Sequence, residues 1–170
     1  MKTFNDTLDI WIKSLEQSSA AQLFAKPAAN SWSLGQVYMH LIEATNFYLE
    51  QIHICLETRD HLLEKMTPAA EILFRNNRFP DEIIEGPPSN DDTPQPISKE
   101  VLMQDLLQLK ATINRLGILI SESPVQGKTK HPGLHYFNAA EWFQFAEMHF
   151  RHHLRQKERI DAFLKTNRIG

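Results

Sequence analysis

Apolar residues recur at intervals of three and four over four long segments of the chain, and strand-like alternation is nearly absent. The first segment runs from about Thr3 to Gln17, with Phe4, Leu8, Trp11, Ile12 and Leu15 on one stripe. It ends in the small polar stretch Ser18-Ser19-Ala20-Ala21, followed by a loop through Lys26-Pro27-Ala28-Ala29-Asn30. The second opens on Ser33-Leu34-Gly35-Gln36, where a serine and a glutamine three residues on can cap each other's backbone donors. It runs to roughly Thr58, with Val37, Leu41, Ala44, Tyr48, Ile52 and Cys55 on one face. The third opens near Ser98 and reaches about Ser121, carrying Val101, Leu102, Leu106, Leu109, Ile113, Leu116 and Ile120, with Pro124 and Gly127 beyond its end. The fourth starts at a second capping box, Asn138-Ala139-Ala140-Glu141, and continues to about Lys165. Its seam reads Trp142, Ala146, His149, His153, Ile160 and Leu164.

From about Thr67 to Pro96 the periodicity breaks. Pro68, Pro80, Pro87, Pro88, Pro94 and Pro96 cluster there with Gly86 and Ser89-Asn90-Asp91-Asp92. A short helix is expected within Ala69–Arg75, and the remainder reads as a long, proline-stiffened connection that can cross a bundle end. Four amphipathic helices with one long crossover predict an all-α chain: a four-helix bundle forming a single domain over residues 1–170.

Composition narrows the function. The chain has 170 residues, 42% hydrophobic and 23% charged, with a formal net charge of −3. That balance offers no basic face for nucleic acid and no attraction to an anionic membrane surface. One cysteine, Cys55, excludes an intrachain disulfide and suits a reducing compartment; its phase places it in the core. No apolar run approaches the roughly 18 residues of a bilayer span, and the first residues lack a signal-peptide core. A cytoplasmic location and a small-molecule partner are the expectation. Gly-rich phosphate loops, nucleophile elbows and Cys-x-x-Cys pairs are missing.

What the chain does carry is histidine in unusual places. His149 and His153 stand one helical turn apart on the apolar seam of the fourth helix, so both imidazoles can reach one ion. His40 interrupts the seam of the second helix between Val37 and Ala44. Imidazoles are costly to bury unpaired, and three of them make a facial donor set for a divalent metal with a position left open. Hydrogen-bonded core histidines are the competing reading. The i,i+4 spacing alone says little, since His131 and His135 repeat it in a Pro-Gly loop where helical geometry cannot apply. Unlike zincin helices, the segment has no glutamate beside its first histidine. Around the set, Gln156 follows His153 by three and can orient a ligand or substrate, and Glu43, three residues after His40, can serve as a partner or base. His152, three residues after His149, could replace His149 or His153 as a ligand, but it lies slightly off the seam and reads rather as a supporting or solvent-facing residue; His53 and His61 read as surface.

These residues match a family pattern. The run from Asn30 through Trp32-Ser33 to His40-Leu41 resembles the start of helix two in the DinB-like superfamily of metal-binding four-helix bundles. The C-terminal stretch His131-Pro132-Gly133-Leu134, then Glu141-Trp142 and Phe145, then His149, His153 and Gln156, resembles its YfiT-like branch. The likeness spans most of the chain. His135 stands where related sequences often have glycine before the helix-four cap. The resemblance implies a bundle holding Zn²⁺, Ni²⁺ or a similar ion through His40, His149 and His153. It also implies activity as a thiol S-transferase using a low-molecular-weight thiol such as bacillithiol, mycothiol or glutathione, as a maleylpyruvate isomerase, or as a metal-dependent hydrolase, often in a homodimer. The expected function is therefore metal-dependent thiol transfer or hydrolysis of a small molecule, with Glu43 and Gln156 as the catalytic candidates beside the ligands. The alternative is a non-catalytic metal- or ligand-binding stress-response bundle.

Overall fold

The computed structural model describes residues 2–81, 90, 92–123 and 126–170. Four long helices dominate: α1 (Lys2–Gln17), α3 (Leu34–Glu57), α5 (Lys99–Glu122) and α6 (Ala139–Thr166). Two short helices, α2 (Ala20–Phe24) and α4 (Pro68–Asn76), and a hairpin of β1 (Lys128–His131) and β2 (His135–Asn138) complete the order. The four long helices are the four that the periodicity predicts, and they form a four-helix bundle.

The local signals explain most boundaries. Ser33 and Gln36 form the expected capping box on α3, and Asn138 and Glu141 form the second on α6. Thr67 caps α4 with Pro68 in its first turn, and Asn77 ends that helix in the left-handed conformation. The predicted stripes are the core: Phe4, Leu8, Trp11, Ile12 and Leu15 are buried on α1, as are Leu102, Leu106, Leu109, Ile113 and Leu116 on α5. On the same α5 stripe Val101 is exposed and Ile120 half-buried. Cys55 is buried, as its phase requires.

Two elements correct the sequence reading. Ser18–Phe24 is no simple exit from helix one: Ser19 and Gln22 cap each other and start α2, whose Leu23 is buried. The stretch around His131 and His135 is a hairpin, not an irregular loop. It pairs antiparallel from Lys128↔Asn138 to His131↔His135. His135 has φ of 66°, the left-handed region that favours glycine. A three-residue turn closed by a left-handed residue is a common hairpin solution. The hairpin abuts α3 and α6: Gly127 N–H donates to Cys55 O at 2.9 Å, and Trp142 Nε1–H donates to Thr129 Oγ1 at 2.7 Å.

Part of the proline-rich connection, residues 82–89 and 91, lies outside the described residues. Its end is anchored. Gln36 Nε2 donates to Thr93 O at 2.6 Å, and Ser33 Oγ meets Gln95 Oε1 at 2.8 Å. Pro96 then lies against Gly35, where an added Cβ would stand 2.7 Å from Pro96 Cγ and 2.9 Å from Leu23 O. One contact is a rigid ring and the other is backbone, so neither yields easily. Gly35→Ala is expected to destabilise the protein by about 1–3 kcal/mol, the usual cost of overpacking. Urea denaturation of the two proteins checks this, the midpoint falling with the slope unchanged.

Candidate metal centre

Helices α3 and α6 run antiparallel: His40 faces His149 and His153, while Tyr48, two turns along α3, stacks on Trp142 and meets Phe145 near the start of α6. This packing assembles the three histidines. His149 Nε2 lies 3.2 Å from His40 Nε2 and 3.1 Å from His153 Nε2. The three ligand atoms are all within 4.8 Å of one another.

Hydrogen bonding alone cannot satisfy that arrangement. A neutral imidazole nitrogen carries either one hydrogen or one lone pair, so His149 Nε2 cannot make a proper hydrogen bond in both directions. His153 is further constrained, because its Nδ1 lies 2.7 Å from Gln156 Oε1, a carbonyl oxygen that can only accept. His153 therefore carries its proton on Nδ1 and presents a bare Nε2 to the cluster. A divalent cation accepts all three lone pairs together. Two nitrogens bound at about 2.0–2.1 Å to one tetrahedral ion stand about 3.3 Å apart, close to both short separations here. The donor set fits a divalent metal.

The surroundings keep these imidazoles neutral. Burial pushes His40 down to about 4. Burial, then the neighbouring His40, pushes His153 down to about 3. His149 is held well below its usual value by burial first and by His153 and His40 after it. Neutral imidazole is the form that ligates metal. The walls are aromatic: Trp32 lies 4.9 Å from the His40 ring, and Tyr48 and Phe79 lie 5.8 Å and 6.3 Å from that of His149. His149 Nδ1 is buried and has no hydrogen-bond partner among the described residues, although metal-bound histidines usually donate from that nitrogen.

The structure brings together His40, His149, His153 and Gln156. Glu43 is not part of that cluster; its side chain is exposed on α3. Among the described residues His152 makes one polar contact, with Arg155 Nη2 at 2.9 Å, and it packs on Phe79. His53 is half-buried and His61 exposed. His131 lies elsewhere, stacked on Trp142 and accepting at Nδ1 from the Gly133 and Leu134 amides. Sequence reasoning did not single out Trp32, Phe79 or Arg155 as site residues. Trp32 was visible only as part of the Trp-Ser pattern, and Phe79 and Arg155 gave no periodic signal.

The depressed histidines set the pH response of the metal-free protein. Unfolded histidine takes a proton near 6.5, whereas His40 and His131 resist until about 4 and His153 until about 3. Below 6.5 the unfolded chain thus binds more protons, so stability is full above that pH and falls as pH drops towards 4. Urea midpoints at pH 7.5, 6, 5 and 4.5 should decline in that order. His131→Phe should flatten the decline without touching the three ligands.

A family model described as the DinB superfamily matches residues 3–156. The solved structure of TT2238, described as a four-helix bundle protein, is similar with a TM-score of 0.58, covering 93% of this chain and 94% of that one at 14% identity. Identity that low shows a shared fold alone. No curated protein matches the chain. With the family model spanning nearly its whole length, the chain belongs to the DinB superfamily.

Proposed function

We propose that this protein is a metal-dependent enzyme that acts on a small molecule by thiol S-transfer or hydrolysis, with His40, His149 and His153 holding Zn²⁺, Ni²⁺ or a similar divalent ion. The observation that carries this reading is the convergence of three neutral Nε2 atoms, two pairs at 3.1–3.2 Å, across the α3–α6 seam. Such an ion supplies Lewis acidity, lowering the pKa of a thiol or water so that the nucleophile exists at neutral pH.

The chain's own residues then have distinct tasks. Gln156 fixes the tautomer and ring orientation of His153. Trp32 and Phe79 cover the rings of His40 and His149 with apolar surface, which limits water and strengthens electrostatic interactions at the site. Glu43, exposed one turn beyond His40, is the carboxylate available to exchange a proton with solvent. Among the described residues no fourth histidine, cysteine or carboxylate joins the set. Structural zinc sites usually close with four protein ligands, so three favour an open position where chemistry can occur.

The helices bury their own apolar stripes, so the fold should not depend on the ion. Elemental analysis after loading should find about one ion per chain. The double variant His149→Ala/His153→Ala should lose it while its far-ultraviolet helical signal persists. Chelation should lower the melting temperature yet leave a folded protein. Gln156→Ala should weaken metal binding about tenfold or more. A wild-type protein that takes up none of Zn²⁺, Ni²⁺, Co²⁺ or Mn²⁺ would sink the proposal.

A further inference from the structure

His152 stands beside the cluster but outside the converging set of His40, His149 and His153, and its contacts fix more than its position. Its ring lies 5.2 Å from that of His153 and 5.2 Å from that of Phe79, which itself packs against His149. His152 thus sits at the edge of the centre, on the Phe79 side. Its Nδ1 lies 2.9 Å from Arg155 Nη2. A guanidinium can only donate, so Nδ1 must be the accepting, unprotonated nitrogen. The proton of the neutral ring is therefore on Nε2.

Arg155 is in turn held in place. Its Nη2 also donates to Pro80 O at 2.9 Å, and its Nη1 pairs with Asp81. Asp81, Arg155 and His152 form a line of polar contacts from the segment after α4 to the edge of the metal centre. The line leaves one imidazole N–H pre-set as a donor. Nε2 of His152 has no hydrogen-bond partner among the described residues.

We infer that His152 Nε2–H is the hydrogen-bond donor to the anionic atom of whatever occupies the open position of the His40–His149–His153 centre, with Arg155 as the positioning residue that selects this tautomer. The assignment rests on the metal-dependent reading above. It gives the site a donor for a carboxylate, oxyanion or thiolate group on the substrate side, which the Glu43 carboxylate, an acceptor, does not supply.

The test uses Co²⁺-loaded full-length protein and acetate as the anionic probe, read by the visible absorption of the cobalt. His152→Phe keeps the packing on Phe79 and removes the donor; His152→Gln restores an N–H. Co²⁺ affinity should be the same in wild type and both variants, because His152 is not a ligand. Acetate should bind about tenfold more weakly to His152→Phe, the scale of one charge-assisted hydrogen bond, and His152→Gln should recover most of that loss. Arg155→Met should weaken acetate by a smaller factor with Co²⁺ affinity unchanged. Equal acetate affinity in all four proteins overturns the inference and leaves the metal centre standing. Loss of Co²⁺ from His152→Phe overturns it differently, by making His152 a ligand. A wild-type protein that binds no Co²⁺ removes the metal reading and this assignment together.

Discussion

The contact on which this structure turns is the seam between α3 and α6. Packing these two helices antiparallel puts three imidazole nitrogens together that cannot satisfy one another, since His149 Nε2 faces two neighbours at 3.1–3.2 Å and has a single lone pair or hydrogen to offer. An apolar trio at the same positions would pack without that conflict. The seam must therefore be held closed by other contacts, and the bundle provides them. Phe4, Leu8 and Trp11 of α1 are buried, with Trp11 Nε1–H donating to Phe150 O and Thr7 hydrogen-bonded to Glu147 on the far side of α6. Tyr38 O–H donates to Trp11 O at 2.7 Å and ties α3 to the same helix. A frame of this kind holds the three imidazoles at a spacing suited to an ion, which would lower the cost of binding one.

The start of α3 is fixed as firmly as its middle. The capping box of Ser33 and Gln36 is doubled by bonds to Gln95 and Thr93, and Gly35 lets Pro96 lie directly on the helix. His40 follows less than two turns later, and Trp32, just before the cap, covers it. The end of the long connection thus does more than link helices. It sets the height and rotation at which His40 enters the seam, so packing at Gly35 and ligand geometry at His40 are parts of one constraint.

How much of this was legible in the sequence follows from the length scale of each signal. The long helices, their stripes and the capping boxes at Ser33 and Asn138 were readable because three or more turns repeat the same period. His40, His149 and His153 were readable because a titratable ring on an apolar stripe contradicts its surroundings. The five residues of α2 give no period, although Ser19 and Gln22 spell a capping box. β1 is Lys-Thr-Lys-His, with no apolar residue to alternate, so the hairpin was hidden; its trace was His135 at a position that favours glycine. Glu43, three residues from His40, is exposed on α3 and stands outside the histidine cluster, a placement that spacing along the helix alone does not fix.

Phe79, Pro80, Asp81 and Arg155 mark the limit of any reading by period. The first three follow α4, the last belongs to α6, and no local pattern says that they meet. They meet because Phe79 packs on Phe145 and His152 while Arg155 reaches Pro80 O and Asp81. Among the described residues Arg155 is the only guanidinium hydrogen-bonded to a histidine. On helix periodicity alone it is one more solvated arginine. Its consequence is chemical, since a donor on one nitrogen of an imidazole decides which group the other nitrogen can serve. In this fold the long helices bring the three imidazoles together, and on the proposed reading the Arg155 contact, itself anchored by Pro80 and Asp81, would decide which nitrogen of His152 carries the proton.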